Sequence, residues 1–144
     1  MTPSDLIHEF AAAFNRQDLP ALLACFTDEA VYHDTFYGRH AGQAGLRGMF
    51  ERMFREGRDY TWTMHVVVAD ALRAAAEWSF AYTVSEAIPR SAGRKVRISG
   101  MSLFELKGGK IANYREYTDM GLALLQLGFA PDSLTKVLAR RLPA

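Results

Sequence analysis

A chain of 144 residues, 49% hydrophobic and with a formal net charge of +1, is a single domain's worth of sequence. It is large enough to bury roughly two-thirds of the surface its unfolded form exposes. That charge balance lacks the basic field on which nucleic-acid or acidic-membrane binding draws, so small neutral or weakly charged ligands are expected instead. The single cysteine, Cys25, has no intramolecular partner and sits in the apolar run Leu22-Leu23-Ala24-Cys25-Phe26, which predicts a buried thiol. With no basic, apolar leader at Met1-Thr2-Pro3-Ser4-Asp5 and no long apolar stretch, the expectation is a cytoplasmic protein without signal peptide or membrane span.

Thr2 followed by Pro3 and Asp5 predicts a helix start, with a capping side chain, a first-turn proline and a carboxylate facing the dipole. The helix should run to about Asn15, with Leu6, Ile7, Phe10, Ala13 and Phe14 on its apolar face. Asp18 should cap a short second helix through Leu22, Leu23 and Phe26, broken by Thr27-Asp28-Glu29. Ala30 to Asp34 then reads extended, closed by Gly38. Leu46, Met49, Phe50, Met53 and Phe54 mark a third helix ending at Gly57.

From Tyr60 the period changes to two. Tyr60 to Val68, Leu72 to Ala87, Lys95 to Leu106 and Lys110 to Thr118 are expected as strands of an antiparallel meander, separated by turn-forming residues. Asp119 should cap the next helix and Gly128 end it. Residues 131–144 then form a short basic helical extension of a single 1–144 domain, packed over a pocket mouth or a dimer edge. Helices first and a curved antiparallel sheet afterwards is an α+β plan, in which the sheet wraps the helices and leaves an apolar pocket between them.

The segment from Gly109 to Asp119 carries the most chemistry. Alternation places Ala112, Tyr114, Glu116 and Thr118 on one face and Ile111, Asn113, Arg115 and Tyr117 on the other. A carboxylate beside a tyrosine on a strand that buries at least one face is costly unless a partner or a function accounts for it. Tyr32 and Asp34, two apart, likewise point one way. An aspartate in an apolar space has a raised pKa and moves protons near neutrality, whereas in a loop it simply accepts backbone hydrogen bonds.

These residues carry a family resemblance. Phe14 to Leu19, Phe26 to Asp34, and the last strand with its Gln126-Leu127-Gly128 ending resemble the SnoaL-like branch of the nuclear transport factor two-like superfamily. Ketosteroid isomerases, limonene-epoxide hydrolases and polyketide cyclases are its relatives. The resemblance implies a cone-shaped, cystatin-like α+β barrel whose curved antiparallel sheet wraps N-terminal helices around a central apolar pocket. It likens Asp34 to the isomerase base, with Phe10 and Ser102 near the oxyanion-hole positions. It likens Tyr32, Asp34, Tyr114 and Glu116 to part of the hydrolase water site, whose remaining arginine and aspartate fall about Ala81 and Thr83. It offers Glu116 or Asp119 as the single acid of a cyclase.

The catalytic candidates are therefore Asp34, Glu116, Tyr32 and Tyr114, acting by acid–base proton transfer on a small apolar carbonyl or cyclic compound. No cofactor and no metal are expected, because His8, His33, His40 and His65 lack zinc spacing. For Glu116 the alternative is a salt bridge to Arg97, and for Asp119 it is helix capping. Trp62, Trp78, Phe80 and Tyr82 are expected on sheet faces, some of them in a homodimer contact. The competing functional readings are a non-catalytic ligand-binding module and a dimerisation module whose pocket is filled by its own side chains.

Overall fold

Thr2 and Asp5 cap the first helix reciprocally. In the computed structural model, which describes residues 1–143, Thr2 Oγ1 accepts from the Asp5 N–H at 3.1 Å and Asp5 Oδ2 accepts from the Thr2 N–H at 2.8 Å. The helix α1 (Pro3–Asn15) buries Leu6, Ile7, Phe10, Ala13 and Phe14 along one stripe. Asp18 caps α2 (Leu19–Ala24), which stops short of Phe26.

Strand β1 (Phe26–Asp34) starts earlier than its turn-forming residues suggest: Thr27, Asp28 and Glu29 belong to it instead of breaking the chain. They lie where the ladder is irregular between Phe26 and Val31, with the two carboxylates turned to solvent, so the strand tolerates poor formers there. Gly38, at φ +78°, does not close the extended piece but opens β2 (Gly38–Ala41), a short antiparallel arm pairing Asp34 with Gly38 and Val31 with Ala41. The next helix, α3 (Gly42–Glu56), buries Leu46, Met49, Phe50 and Met53.

The meander follows as β3 (Gly57–Ala69), β4 (Arg73–Val84), β5 (Lys95–Lys107) and β6 (Lys110–Thr118), antiparallel throughout. Asp70 Oδ1 accepts from both the Leu72 and Arg73 N–H groups, a local turn that holds Leu72 out of β4. At its other end β4 gives way to a 3₁₀ turn at Pro89–Ser91. The sheet order is β2-β1-β6-β5-β4-β3, and β1 runs parallel to β6. Then come α4 (Met120–Gln126), capped by Asp119, and α5 (Pro131–Ala139), which buries none of its residues.

The six-stranded sheet is curved and unclosed, and α1 and α3 pack against it. The core is aromatic: Phe10 and Phe14 meet Phe26, Phe50, Trp62 and Phe104 mostly edge to face. Trp62 and Trp78 are buried, and Phe80 and Tyr82 line the interior beside them. All four therefore lie on the inner face, which corrects the expectation that some of them form a dimer surface.

A candidate acid–base site inside the cone

The parallel pairing of β1 with β6 builds the site. Tyr32 lies opposite Tyr114 and His33 opposite Arg115, so Asp34 and Glu116, the next residues of matching parity, emerge side by side on the inner face. Across β6, Ser102 of β5 pairs directly with Glu116. The cavity into which the two acids face has a volume of about 400 Å³ and a largely aromatic wall that includes Phe14, Tyr60, Trp62, Phe80 and Tyr82. Its open space is not plugged by the protein's own side chains, as the dimerisation-module reading requires.

Each carboxylate is held by neutral donors. Glu116 Oε1 accepts from the Tyr114 hydroxyl at 2.7 Å and Oε2 from the Thr35 N–H at 3.0 Å. Tyr114 in turn accepts from the Ser102 hydroxyl at 2.9 Å, and Ser102 accepts from the Trp78 indole N–H at 2.8 Å. Trp78 reaches Ser102 because its cross-strand partner is Gly100, where a Cβ would come within 2.7 Å of the indole. Asp34 Oδ1 accepts from both the Phe36 and Tyr37 N–H groups at 2.8 Å. The loop-holding role is thus real, and it coexists with a place on the cavity wall.

Burial pushes Glu116 up to about 7, the negative charge of Asp34 adds to the rise, and the bonds from Tyr114 and Thr35 restrain it. Burial also raises Asp34, opposed by the two backbone N–H bonds and by the positive charge of Arg141. With two short charge-assisted bonds, Asp34 is the member of the pair that ionises first, and Glu116 keeps its proton to near neutrality. The Tyr32 and Tyr114 phenols are held well above their usual range, by burial first and then by the charge of Glu116, so both remain donors.

The four sequence candidates come together, with one correction. Tyr32, Asp34 and Glu116 line the cavity, but Tyr114 is fully buried behind them, stacked on Tyr32 with ring centroids 4.0 Å apart. It buttresses Glu116 instead of forming part of the wall. Phe10, Tyr32 and Phe104 cover its ring. The irregularity in β6, where Ile111 pairs with Leu106 but Asn113 with Glu105 so that Ala112 is extra, turns Ile111 inward as well and leaves Tyr114 and Glu116 on one side.

Arg97 is not the partner of Glu116. It is exposed, on the opposite face from Val96 and Ile98, and its backbone N–H is held by Gln126. Ala81 and Thr83 alternate away from the cavity-lining Phe80 and Tyr82, so the remaining hydrolase charges have no inward position there. Asp119 is engaged as a cap. His65 bonds Ser79 on the outside of the sheet. Cys25 is buried, with a thiol pushed up to about 11 by burial.

Sequence reasoning placed Ser102 near the site without its role as the bridge between Trp78 and Tyr114, and it missed several other groups. Ser102 is the lone hydroxyl in the inward stripe Val96, Ile98, Gly100, Ser102, Phe104, Leu106, a signal visible once the strand is placed. Glu56 is a third acid on the wall, accepting from the Tyr37 hydroxyl at 3.0 Å and from Arg52 Nε at 3.1 Å. The Arg52 guanidinium lies over the Tyr37 ring at 4.9 Å. Val137 and Arg141 bring the C-terminal segment over the cavity mouth.

Comparison with known proteins agrees with this fold. The sequence profile of the SnoaL-like domain matches residues 7–114. Among solved structures, a candidate polyketide cyclase from Pseudomonas putida is 28% identical, with a TM-score of 0.74 over 88% of this chain and 98% of that one. TsrD from Streptomyces laurentii is 26% identical, with a TM-score of 0.72 over 87% and 93% of the two chains. An LEH-like epoxide hydrolase from M. tuberculosis shares the fold at 19% identity, with a TM-score of 0.71 over 94% of each chain.

Proposed function

The chain belongs to the SnoaL-like domain family, and from that premise we propose that its cavity carries out acid–base proton transfer on a small, mostly apolar carbonyl or cyclic compound. The observation that carries this reading is the pair Asp34 and Glu116, adjacent in an aromatic cavity, with Glu116 titrating at about 7. Such a pair offers an anion and a proton carrier at once near neutrality. Asp34 or ionised Glu116 removes a proton from the carbon beside a carbonyl, the electron pair moves onto the carbonyl oxygen, and the protonated acid returns the proton to the same carbon or another. Tyr114 positions Glu116 from behind, and Tyr32 supplies a phenol at the wall.

The test is deuterium uptake from D2O into 2-tetralone, followed by NMR. The wild-type protein is expected to accelerate exchange over buffer, and Asp34→Asn and Glu116→Gln each to lose about 10²–10⁴ of that acceleration. Exchange at the buffer rate, or exchange indifferent to both substitutions, contradicts the reading. A second reading, a non-catalytic ligand-binding module, is favoured by the engagement of Asp34 Oδ1 in its own loop. It expects both substitutions to leave ligand affinity intact or raised, since a neutral side chain is cheaper to bury.

Association as a homodimer through the outer sheet face is part of the same proposal. Its support is the exposure of Val66, Val68, Met101 and Tyr117. Among the described residues no helix is long and apolar enough to cross a membrane.

A further inference from the structure

The chain has six tyrosines, and their hydroxyls divide by what they bond. Tyr37 donates to Glu56 Oε1 at 3.0 Å, Tyr60 to the Met53 carbonyl at 2.6 Å and Tyr114 to Glu116 Oε1 at 2.7 Å. Tyr117 is exposed, and Tyr32 is buried against Tyr114 beside the two acids. Tyr82 differs from all of these: it lines the cavity, is only half-buried, and its hydroxyl bonds to nothing else among the described residues. Nor is that oxygen sealed in. Among the described residues Trp62 Nε1 is the one fully covered side-chain nitrogen or oxygen without a partner, so the unpaired Tyr82 oxygen keeps open surface.

The ring that carries it is held in place. It stacks on Tyr60 with centroids 5.2 Å apart, meets Phe80 at 5.7 Å, and uses the room left by Gly57, where a Cβ would come within 2.8 Å of Tyr82 Cδ2. Tyr82 alternates with Ala81 and Thr83, which turns its side chain to the inner face. Burial first, and then the negative charges of Glu56 and Asp34 on the same wall, push its phenol up to about 12, so it is a donor at neutral pH. Glu56 does not take that proton, because Tyr37 and Arg52 already engage its two oxygens. Register sets Tyr82 apart from the other acid: Ser102 pairs with Glu116 on one side and with Ala76 on the other, well short of Tyr82 along β4.

We propose that the Tyr82 hydroxyl is the docking donor for an oxygen acceptor at the end of the ligand turned away from Glu116, so that the cavity prefers flat, apolar molecules carrying a carbonyl-type oxygen to hydrocarbons of the same shape. This rests on the reading of the cavity as a small-molecule site and adds to it the group that orients the ligand. A fixed donor at one end holds the opposite end of the ligand before Asp34 and Glu116, which is the positioning that proton transfer needs. A substrate for that chemistry then carries two oxygen functions, one docked at Tyr82 and the reacting carbonyl beside the acids.

The probes are 2-acetylnaphthalene and its isostere 2-isopropenylnaphthalene, in which C=CH2 replaces C=O. A cavity with no free donor prefers the hydrocarbon, which is cheaper to remove from water. Both are titrated into the wild-type protein, into Tyr82→Phe, which removes one oxygen and keeps the ring, and into Tyr60→Phe, which removes a phenol that the protein itself engages. The ratio of ketone to hydrocarbon affinity is expected to fall about fivefold in Tyr82→Phe, with hydrocarbon affinity little changed and the melting temperature of the unliganded protein unmoved, because no protein bond is lost. Tyr60→Phe is expected to do the reverse, lowering the melting temperature and keeping the ratio. The carbonyl stretch of the bound ketone should lie at lower frequency in the wild-type protein than in Tyr82→Phe, a readout that a merely structural role for the hydroxyl would not move. A ratio unchanged in Tyr82→Phe, a carbonyl stretch indifferent to it, or binding of neither probe overturns the proposal. All of these are equilibrium measurements, so absence of deuterium exchange in 2-tetralone, which would remove the proton-transfer reading, leaves their outcome unaffected.

Discussion

Glu105 and Glu116 sit on adjacent strands of one sheet and meet opposite fates. Glu105, on the outer face, is half exposed and bonded by Arg115 Nη1 at 3.1 Å. Glu116, on the inner face, has no cation beside it, only a phenol, a backbone N–H and a second carboxylate, and burial pushes it up to about 7. Residue type and sheet are alike, and the side of the sheet decides the neighbours each acid meets. A carboxylate becomes a proton carrier near neutrality when it is taken from water and given donors without a full positive charge.

The strongest way to break this contrast is in rate. Glu116→Gln is expected to lower any exchange activity about 10²–10⁴-fold, while Glu105→Gln leaves it unchanged. Equal losses from the two would mean that the inner acid has no special role.

The next effect is on stability against pH. The Glu116 value of about 7 in the folded protein lies above the ordinary 4.5, so the native state holds a proton that the unfolded chain has released. The contribution of Glu116 to stability is therefore full below about pH 4.5, declines as pH rises through about 7, and levels off above it. Removing the charge in Glu116→Gln should stabilise the protein at pH 8 by about 3 kcal/mol relative to pH 4, measured by urea unfolding at both pH values. Glu105→Gln should show no such pH-dependent gain.

Tyr114→Phe sharpens the comparison by removing one donor while leaving the acid in place. It should cost about 1–2 kcal/mol, because the Ser102 hydroxyl loses its acceptor, and should move the Glu116 titration further up. Denaturation and a pH titration of the same variant check both. The smallest effect belongs outside: Arg115→Gln, which breaks the surface pair with Glu105, should change stability by less than about 1 kcal/mol in a thermal melt.

How much of this was legible in the sequence follows from the range of each interaction. Tyr32 with Asp34 and Tyr114 with Glu116 are two-residue spacings, and strand geometry alone turns each pair to one side. The capping of α1 by Thr2 and Asp5 is equally local. The bonds of Thr35 to Glu116 and of Ser102 to Tyr114 were invisible because they are made through register across strands, which no local pattern encodes. The parallel pairing of β1 with β6 was invisible for the same reason, and it is what brings the two acids together. The inward turn of Ile111 depends on the extra residue Ala112, which shifts parity within β6, and the burial of Tyr114 behind the wall depends on Phe10, Tyr32 and Phe104 from other elements. The four-residue β2 arm has no apolar alternation to announce it.

The most direct test of the central claim is a ¹³C NMR titration of the Glu116 side-chain carboxyl, assigned by its absence in Glu116→Gln. A midpoint near 7, falling after Asp34→Asn as the neighbouring charge is removed, is the expected result. A midpoint near 4.5, unmoved by Asp34→Asn, would show that the inner carboxylate is an ordinary solvated acid and would contradict the account.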